Sequence, residues 1–419
     1  MILLMEGGLT IMAGAVIFLV ITLILVGALL FAKAKLIPSG NVKVVVNGEK
    51  EFEVPMGGTV IGALQGQGIF LSSACGGSGS CGQCRCQIPE GGGNILPTEV
   101  GFFSRKEIKD NWRLGCQTKI KEDIKIQVPE EVFGVKEWEC TVVSNHNVAS
   151  FIKEFTVRLP EGEVMNFKPG SYSQIKIPAF DLKFTEFDVD DRFKPEWDKF
   201  KMWDLACKNE EETIRAYSMA NYPAEGNIIT LNVRIATPPF DRNAGGWMAV
   251  NPGIGSSYIF NLKPGDKVKM SGPYGDFHIL DTKREMLYIG GGAGMAPLRA
   301  HLLHLFNTLK TTDRTVSYWY GARSKNEIFY EEDFRAIEKE FPNFKFNIAL
   351  SEPRPEDNWT GYVGFIHQVI HDHYLKDHEA PEDIEYYMCG PGPMAKAVEG
   401  MLDSLGVPRE MLHFDDFGA

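Results

Sequence analysis

The sequence predicts a multidomain chain with an N-terminal membrane-spanning helix, an α+β domain, an antiparallel β-barrel and an α/β domain with a parallel sheet. Three patterns predict this architecture. A long uncharged apolar run lies near the N-terminus, short alternating strand segments fill the middle, and strand–glycine–helix alternation follows toward the C-terminus. With 419 residues, the chain is long enough for several domains with separate cores.

We expect the domain boundaries where these patterns change. That gives an anchor at residues 1–36, the α+β domain at 37–134, the barrel at 135–280 with an insertion at about 180–213, and the α/β domain at 281–419. The chain carries 43 Lys and Arg against 55 Asp and Glu, a formal net charge of −12. This charge argues against nucleic-acid binding, which depends on cations that neutralise phosphates.

The apolar run at Ile11–Ala32 contains no charged residue. As a helix it would be about 33 Å long, enough to cross a hydrocarbon core. A cleaved signal peptide is the alternative, but the flank before the run carries Glu6 and neither Lys nor Arg. Lys33 and Lys35 follow directly, so the positive-inside rule predicts a single-pass protein with its C-terminal domains in the cytoplasm.

Four cysteines follow the spacing of an iron–sulfur site. The spacing is Cys75-x5-Cys81-x2-Cys84, followed by the distant Cys116. The first gap is one residue longer than in the plant-type 2Fe–2S pattern. The glycines between them allow a tight loop whose backbone N–H groups can point at the sulfurs. A structural zinc site would need a second close pair around Cys116, and disulfides are disfavoured in the cytoplasm. The spacing therefore predicts a 2Fe–2S cluster on these four thiolates.

Strand segments recur from Trp138 onward and predict a closed antiparallel barrel. One strand carries an arginine for a phosphate, an aromatic ring to stack on a planar group and a hydroxyl for a hydrogen bond. A later Gly/Ser turn opens a short helix, which suits a pyrophosphate. Together these motifs predict a flavin site. The residues assigned to it are Arg215, Tyr217, Ser218, Gly253, Ser256, Ser257 and Gly275.

The insertion at about 180–213 interrupts the strand pattern with a charged, aromatic-rich stretch. Long insertions in compact domains are uncommon and are often functional. Two readings stay open, a solvated surface flap and a docking surface for a partner.

A strand at Glu285–Ile289 runs into the turn Gly290–Pro297 and then into an apolar helix at Leu298–Leu309. This arrangement places a pyrophosphate on a helix N-terminus. The G-x-G-x-x-G fingerprint fails because Pro297 occupies its third position, but proline suits a first helical turn. Later strands end at Arg323 and Cys389, which predicts that both lie on the same rim as the glycine turn.

The order of these motifs resembles the ferredoxin–NADP reductase superfamily. The whole chain, with its N-terminal apolar run and cysteine domain, resembles the F subunits of sodium-translocating NADH:quinone oxidoreductases. The motifs that carry the resemblance are Arg215-x-Tyr217-Ser218, Gly253/Ser256, Gly275-x-Phe277, Gly292-x-Gly294-x-x-Pro297, Cys389-Gly390-Pro391 and Phe414–Gly418. The resemblance implies a β-grasp cysteine domain, a six-stranded FAD barrel, a 2Fe–2S cluster and NADH as donor.

The resemblance also implies roles for single residues. Arg215 would bind the FAD pyrophosphate, Tyr217 would lie against the isoalloxazine, and Ser218 would lie near its N5. Gly292, Gly294 and Pro297 would form the NADH turn, with Cys389 near the nicotinamide, although an ordinary packed thiol is the other reading of Cys389. Phe417 would cover the flavin ring. Arg323 and Lys325 could meet a 2′-phosphate, so the residues leave NADH and NADPH both open.

Electron counting explains why these modules occur together. NADH gives two electrons as a hydride, a 2Fe–2S cluster accepts one at a time, and flavin can connect the two. We therefore expect a hydride to pass from NADH to FAD, then single electrons to the cluster, membrane partner subunits and ubiquinone. In the complex this transfer would be coupled to Na⁺ translocation, and the chain would lie in a bacterial inner membrane.

Two other functions use the same modules. The reductase component of a bacterial oxygenase serves a soluble hydroxylase, and the apolar run at Ile11–Ala32 argues against it. A membrane-tethered redox sensor would bind the cofactors without turnover, and steady NADH oxidation with an artificial acceptor would exclude it. The apolar run contains no charged residue and so offers no ion site, which assigns any ion path to partner subunits.

Overall fold

A computed structural model describes residues 14–29, 40–241 and 245–414. Helix α1 occupies residues 14–29, and within the described ranges no helix is both long and apolar enough to cross a membrane. The predicted span at Ile11–Ala32 extends at both ends into residues outside those ranges. The chain divides into two compact units. One contains residues up to Leu71 with Gly82–Val132, and the other contains Ser72–Cys81 with residues from Phe133 onward.

The first unit is a mixed five-stranded sheet with two short helices. Its elements are β1 (Asn41–Val46), β2 (Lys50–Pro55), α2 (Val60–Gln65), β3 (Arg85–Glu90), α3 (Arg105–Lys109), β4 (Trp112–Leu114) and β5 (Ile124–Gln127). The strand order is β2-β1-β5-β3-β4, with β1 and β5 parallel and the other pairs antiparallel. The turn between β1 and β2 lies at Asn47 and Gly48, both with positive φ. The predicted α+β character of this region is confirmed.

The second unit begins with a six-stranded antiparallel sheet. Its elements are β6 (Lys136–Ala149), β7 (Ile152–Arg158), β8 (Tyr172–Ile177), β11 (Thr213–Ser218), β12 (Ile228–Arg234), α5 (Ile254–Asn261) and β15 (Lys267–Tyr274). The strand order is β11-β8-β15-β6-β7-β12. A β-bridge between Met219 and Leu231 joins the end of β11 to β12, so the two edge strands meet. Alternating apolar residues of these strands fill the core on the inner side.

The insertion forms packed secondary structure and is not a solvated flap. It contains β9 (Phe180–Lys183), α4 (Lys194–Lys199) and β10 (Ala206–Asn209), and a small hairpin of β13 (Phe240–Asp241) and β14 (Gly246–Trp247) follows later. Trp197 is 0% exposed and donates its indole N–H to the Ser150 carbonyl at 2.7 Å. Aromatic residues therefore dock the insertion on the rest of its unit.

The C-terminal part of the second unit is a six-stranded parallel sheet between helices. Its elements are β16 (Met286–Gly291), α6 (Met295–Leu303), β17 (Val316–Ala322), α7 (Glu331–Glu340), β18 (Phe344–Leu350), β19 (Tyr362–Val363), α8 (Ile366–His373), β20 (Glu385–Cys389), α9 (Gly392–Ser404) and β21 (Leu412–Phe414). The order is β19-β18-β17-β16-β20-β21, all parallel. The predicted parallel sheet is confirmed. Helix α6 starts at Met295 instead of the predicted Leu298, because the glycine turn leads directly into the helix. A π-helical turn at His304–Thr308 follows α6.

Candidate functional site

The first two predicted cluster ligands lie in one glycine-rich loop. The Sγ atoms of Cys75 and Cys81 are 3.3 Å apart, and the Ser73 hydroxyl accepts a hydrogen bond from the Gly77 N–H at 2.9 Å. Gly76, Gly77 and Gly79 all have positive φ, a conformation that side chains disfavour. Hydrogen bonds to its sulfur, first from the Cys81 side chain and then from Ser78, hold the pKa of Cys75 far below its ordinary value despite partial burial. The Cys75 thiolate is therefore stabilised while the Cys81 thiol donates to it.

The other two predicted ligands form a second pair. Cys84 is 1% exposed and Cys116 is 5% exposed, and the backbone N–H of Cys116 points at the Cys84 Sγ at 3.4 Å. Such an N–H···S contact stabilises a negatively charged sulfur. It matches the prediction that backbone donors offset the charge of the thiolates.

A buried ion pair fixes the strand that leads to Cys116. Glu99, which is 0% exposed, accepts a hydrogen bond from the Arg113 guanidinium at 2.7 Å and from the Leu114 backbone N–H at 2.8 Å. It also accepts from the Leu96 N–H at 2.9 Å. Sequence reasoning missed Glu99, because nothing in the local pattern distinguishes it from the exposed carboxylates.

The donor set, four cysteine thiols, fits the ligand chemistry of a two-iron cluster. In the part of the chain that the structure describes, no group of three or more His, Cys, Asp or Glu side chains is close enough to hold one ion. Cys75 and Cys81 form a pair within the second unit, and Cys84 and Cys116 form a pair within the first. A 2Fe–2S cluster takes two thiolates on each iron, whereas a structural zinc ion takes four ligands around one centre.

Two predicted flavin motifs, distant in sequence, lie against each other. A Cβ on Gly255, in the first turn of α5, would lie 2.5 Å from the Tyr217 hydroxyl and 2.9 Å from Cγ of Arg215. A side chain at this position would therefore have to displace Tyr217 or Arg215. Burial raises the pKa of Tyr217, so its phenol stays neutral and can donate a hydrogen bond. Ser218, at the end of β11, is 8% exposed.

The N-terminus of α5 has no side-chain cap. Its N-cap residue is Gly253, which has no side chain to accept the first free N–H groups. The Ser256 hydroxyl accepts from the Ala236 N–H at 3.0 Å and donates to the Gly253 carbonyl at 3.1 Å, which fixes the turn. Ser257 follows and is 0% exposed. Backbone donors at such a terminus suit a pyrophosphate.

Gly275 lies apart from this helix turn, just after β15. It has a φ of +93°, and a Cβ there would lie 2.9 Å from the ring of Tyr172. Tyr172 is the β8 partner of Ser218 in the strand register. Gly275 therefore supports the β8–β11 pair by allowing close packing.

The predicted rim of the parallel sheet is assembled around the glycine turn. Gly292 has a φ of +55°, and a Cβ on Gly294 would overlap the carbonyl group of Cys389. The turn therefore rests directly on the backbone of Cys389, which is 9% exposed. Pro297 is buried in the first turn of α6, as predicted from its fixed φ.

A cavity of about 670 Å³ opens beside the glycine turn. The parallel sheet and its helices contribute Gly291, Gly292, Arg323 and Met394 to its lining, and the insertion contributes Phe200 and Met202. A dinucleotide portion can fit in a cavity of this size. The insertion was not expected to line it, because contacts between segments so far apart in sequence leave no local signal.

Arg323 is already paired in this structure. Its Nη2 lies 2.8 Å from Glu196 of the insertion and 3.3 Å from Glu327. The Lys325 backbone N–H donates to Asp357 at 3.2 Å. Phe417, the predicted cover of the flavin ring, lies outside the described residues.

A buried histidine links α6 to the segment that follows β15. His301 of α6 is 0% exposed, and its Nε2 lies 2.9 Å from the Phe277 carbonyl oxygen. Burial lowers the pKa of His301 to about 3, so it is neutral at physiological pH. It serves packing, and the sequence pattern did not single it out.

Three domain families match this chain. The 2Fe–2S iron–sulfur cluster binding domain matches residues 44–121, the oxidoreductase FAD-binding domain matches 198–279, and the oxidoreductase NAD-binding domain matches 288–400. They occur in the order predicted for the three modules.

Relatives match over nearly the full length. The F subunit of the Na(+)-translocating NADH-quinone reductase of Pseudomonas aeruginosa is 52% identical over 401 residues, covering 96% of this chain and 97% of the relative. The F subunit of the Actinobacillus pleuropneumoniae enzyme is 53% identical over 407 residues, covering 97% and 98%. Among solved structures, the ferredoxin reductase in carbazole 1,9a-dioxygenase has a TM-score of 0.56 at 24% identity, covering 91% of this chain and 99% of that one. The last likeness concerns the fold alone.

Proposed function

This chain belongs to the family of F subunits of the Na⁺-translocating NADH-quinone reductases, and from that premise we propose which of its residues bind each redox group. It is the electron-input subunit of that enzyme, with 2Fe–2S, FAD-binding and NAD-binding domains. The domain limits we propose are 1–36, 37–134, 135–280 and 281–419.

The cluster is bound by two cysteine pairs in this proposal. Cys75 and Cys81 hold one iron, and Cys84 and Cys116 hold the other. The 3.3 Å separation of the first pair supports this pairing, as does the N–H···S contact within the second.

FAD is bound between β11 and the N-terminus of α5 in this proposal. Arg215 and the first turn of α5, with Gly253, Ser256 and Ser257, hold the pyrophosphate. Tyr217 lies along the ring system, Ser218 donates toward N5, and Gly275 supports the strand pair that carries them. Phe417 is the proposed cover of the flavin ring. The observation that carries the proposal is the packing of Gly255 on Tyr217 and Arg215, because it unites two distant flavin motifs on one surface.

NADH is bound in the cavity beside the glycine turn. Gly292, Gly294 and Pro297 receive its pyrophosphate, and Arg323 lies toward the adenosine end. Cys389 borders the nicotinamide, because its backbone supports Gly294 and it ends the strand next to β16. Bound FAD supplies the step between a hydride donor and a one-electron acceptor. Ser218 and Cys389 orient the reacting rings, and the buried walls exclude water.

The order of transfer can be tested by separating its two halves. In Cys81→Ala, we expect NADH to reduce the bound flavin as in the unaltered protein, because no thiolate takes part in hydride transfer. Quinone reduction by the complex should be lost. Rapid mixing with NADH, followed by flavin absorbance, measures the first half, and a quinone reductase assay measures the second.

The neighbouring thiol provides the control. Cys86 is 0% exposed, and burial raises its pKa to about 12, so it is an inert packed thiol. Cys86→Ala should keep both activities. If Cys81→Ala abolished flavin reduction while the protein stayed folded, the proposed order would be wrong.

We also propose that Ile11–Ala32 is a single membrane span of a bacterial inner-membrane protein, with the redox domains in the cytoplasm. The lack of charge in this run and the following Lys33 and Lys35 support it. The proposed partners are the other membrane subunits of the complex, which receive the electrons and pass them to ubiquinone.

A further inference from the structure

The cavity proposed for NADH, here called the donor cavity, contains Arg323. This arginine lies toward the proposed adenosine ribose, whose 2′ position distinguishes NADH from NADPH. Arg323 follows β17, which pairs with β16, the strand that leads into the glycine turn. In dinucleotide-binding sheets, groups near this strand end meet the adenosine ribose. A carboxylate there accepts a hydrogen bond from the 2′-hydroxyl of NADH, whereas an arginine binds the 2′-phosphate of NADPH. A free Arg323 would therefore favour NADPH.

Arg323 is not free, because a carboxylate of the insertion holds it. Glu196 of α4 is 7% exposed, and its Oε2 accepts from Nη2 of Arg323 at 2.8 Å. Its Oε1 accepts from Nη2 of a second arginine, Arg354. Oε1 of Glu327 lies 3.3 Å from the same Nη2 atom of Arg323.

The charges of this cluster balance. Arg323 and Arg354 carry two positive charges, and Glu196 and Glu327 carry two negative charges. Lys325 and Asp357, which interact electrostatically, add one charge of each sign. Another cation, Lys199, lies 4.0 Å from Glu196, but its side chain is 64% exposed and is screened by solvent. A 2′-phosphate, which brings a charge near −2, would meet no net positive charge here.

The insertion cannot easily move Glu196 away. The adjacent Trp197 is 0% exposed and donates to the Ser150 carbonyl at 2.7 Å. Arg192 reaches Asn326 of the parallel-sheet region at 3.2 Å. The guanidinium of Arg323 lies 5.8 Å from the Phe200 ring centre. Moving Glu196 away from the two arginines would therefore require undocking packed aromatic side chains.

We propose that Glu196 is a specificity-determining residue that excludes a 2′-phosphate from the donor site by holding Arg323 and Arg354 in ion pairs. The insertion thus makes the site selective for NADH, a function separate from any docking of partner subunits. This inference rests on the proposed NADH site.

The test compares two ligands that differ only in the 2′-phosphate, adenosine 2′,5′-bisphosphate and adenosine 5′-phosphate. Their dissociation constants are measured by titration calorimetry on the full chain with its cofactors, in detergent. In Glu196→Gln, the affinity for the bisphosphate relative to the monophosphate should rise by at least about tenfold. The reason is that the freed Arg323 can give the 2′-phosphate one charge-assisted hydrogen bond, which contributes about this factor. The ratio of kcat/KM for NADPH to that for NADH should shift the same way.

Asp191→Asn is the matched control. Asp191 lies in the same insertion, loses the same charge and has a side chain that is 93% exposed in its pair with Lys194. It should leave the affinity ratio unchanged. Glu196→Asp, which keeps the charge, should keep most of the discrimination.

An unchanged ratio in folded Glu196→Gln would overturn the inference. If that variant loses its flavin or melts early, Glu327→Gln decides, because it removes charge from Arg323 at a residue outside the insertion. An unchanged ratio in Glu327→Gln overturns the inference as well. Failure of the proposed function is a separate outcome, since NADH would then not reduce the flavin of the unaltered protein.

Discussion

At the scale of single residues, two glycines occupy positions where segments distant in sequence pack closely. Gly255 and Gly294 have ordinary backbone conformations, yet a Cβ on either would collide with an atom from a distant segment. Sequence reasoning assigned Gly294 to a phosphate turn, and the structure adds that it rests on Cys389. Gly255 was not assigned to the site, although it lies inside the predicted Gly/Ser turn.

Gly255→Ala should weaken FAD binding about tenfold, because the added Cβ must displace the Tyr217 hydroxyl and overpacking costs about 1–3 kcal/mol. Flavin fluorescence on titration with FAD measures the dissociation constant. Gly400→Ala is the control, since a Cβ there meets nothing within 4 Å. Equal FAD affinities in the two variants would count against the proposed FAD surface.

At the scale of elements, the patterns predicted the type of each sheet but not what the inserted elements do. Alternation predicted the antiparallel sheet, and strand–glycine–helix order predicted the parallel one. The helix α4 carries no motif, and its contribution to the cavity arises from the docking of Trp197 and the ion pairs of Glu196. Docking depends on complementary surfaces, which a linear pattern does not contain.

The strand β4 depends on a buried ion pair, and Glu99→Gln should destabilise the first unit. Arg113 would stay buried at 5% exposure without its counter-charge, which typically costs about 3–5 kcal/mol. Calorimetric unfolding temperatures measure the effect. Glu90→Gln, which removes the exposed partner of Lys125, should change the free energy of unfolding by no more than about 1 kcal/mol. Similar losses in both variants would contradict this account of β4.

At the scale of the whole molecule, the chain has a net charge of −12 and an ordinary composition, but its N-terminal run at Ile11–Ala32 is apolar and uncharged. We expect removal of residues 1–36 to shift the chain, expressed without partner subunits, from the membrane to the soluble fraction. Ultracentrifugation and immunoblotting measure the distribution. The full chain should resist high-salt washing, because a span is held by apolar burial and not by surface charge. Release of the full chain by salt would argue against a span.

The sequence alone determined the module order, the cysteine spacing, the two phosphate turns and, by resemblance, the family. These are local signals, since glycine, proline and cysteine act through backbone geometry and ligand chemistry within a few residues. Only the tertiary structure decided which charges are buried and paired. From the sequence, Arg323 was a candidate ligand of a 2′-phosphate. Its pairing with Glu196, 127 residues away, exists only in the folded structure. Long-range electrostatic pairing is set by three-dimensional proximity, which no spacing rule along the chain encodes.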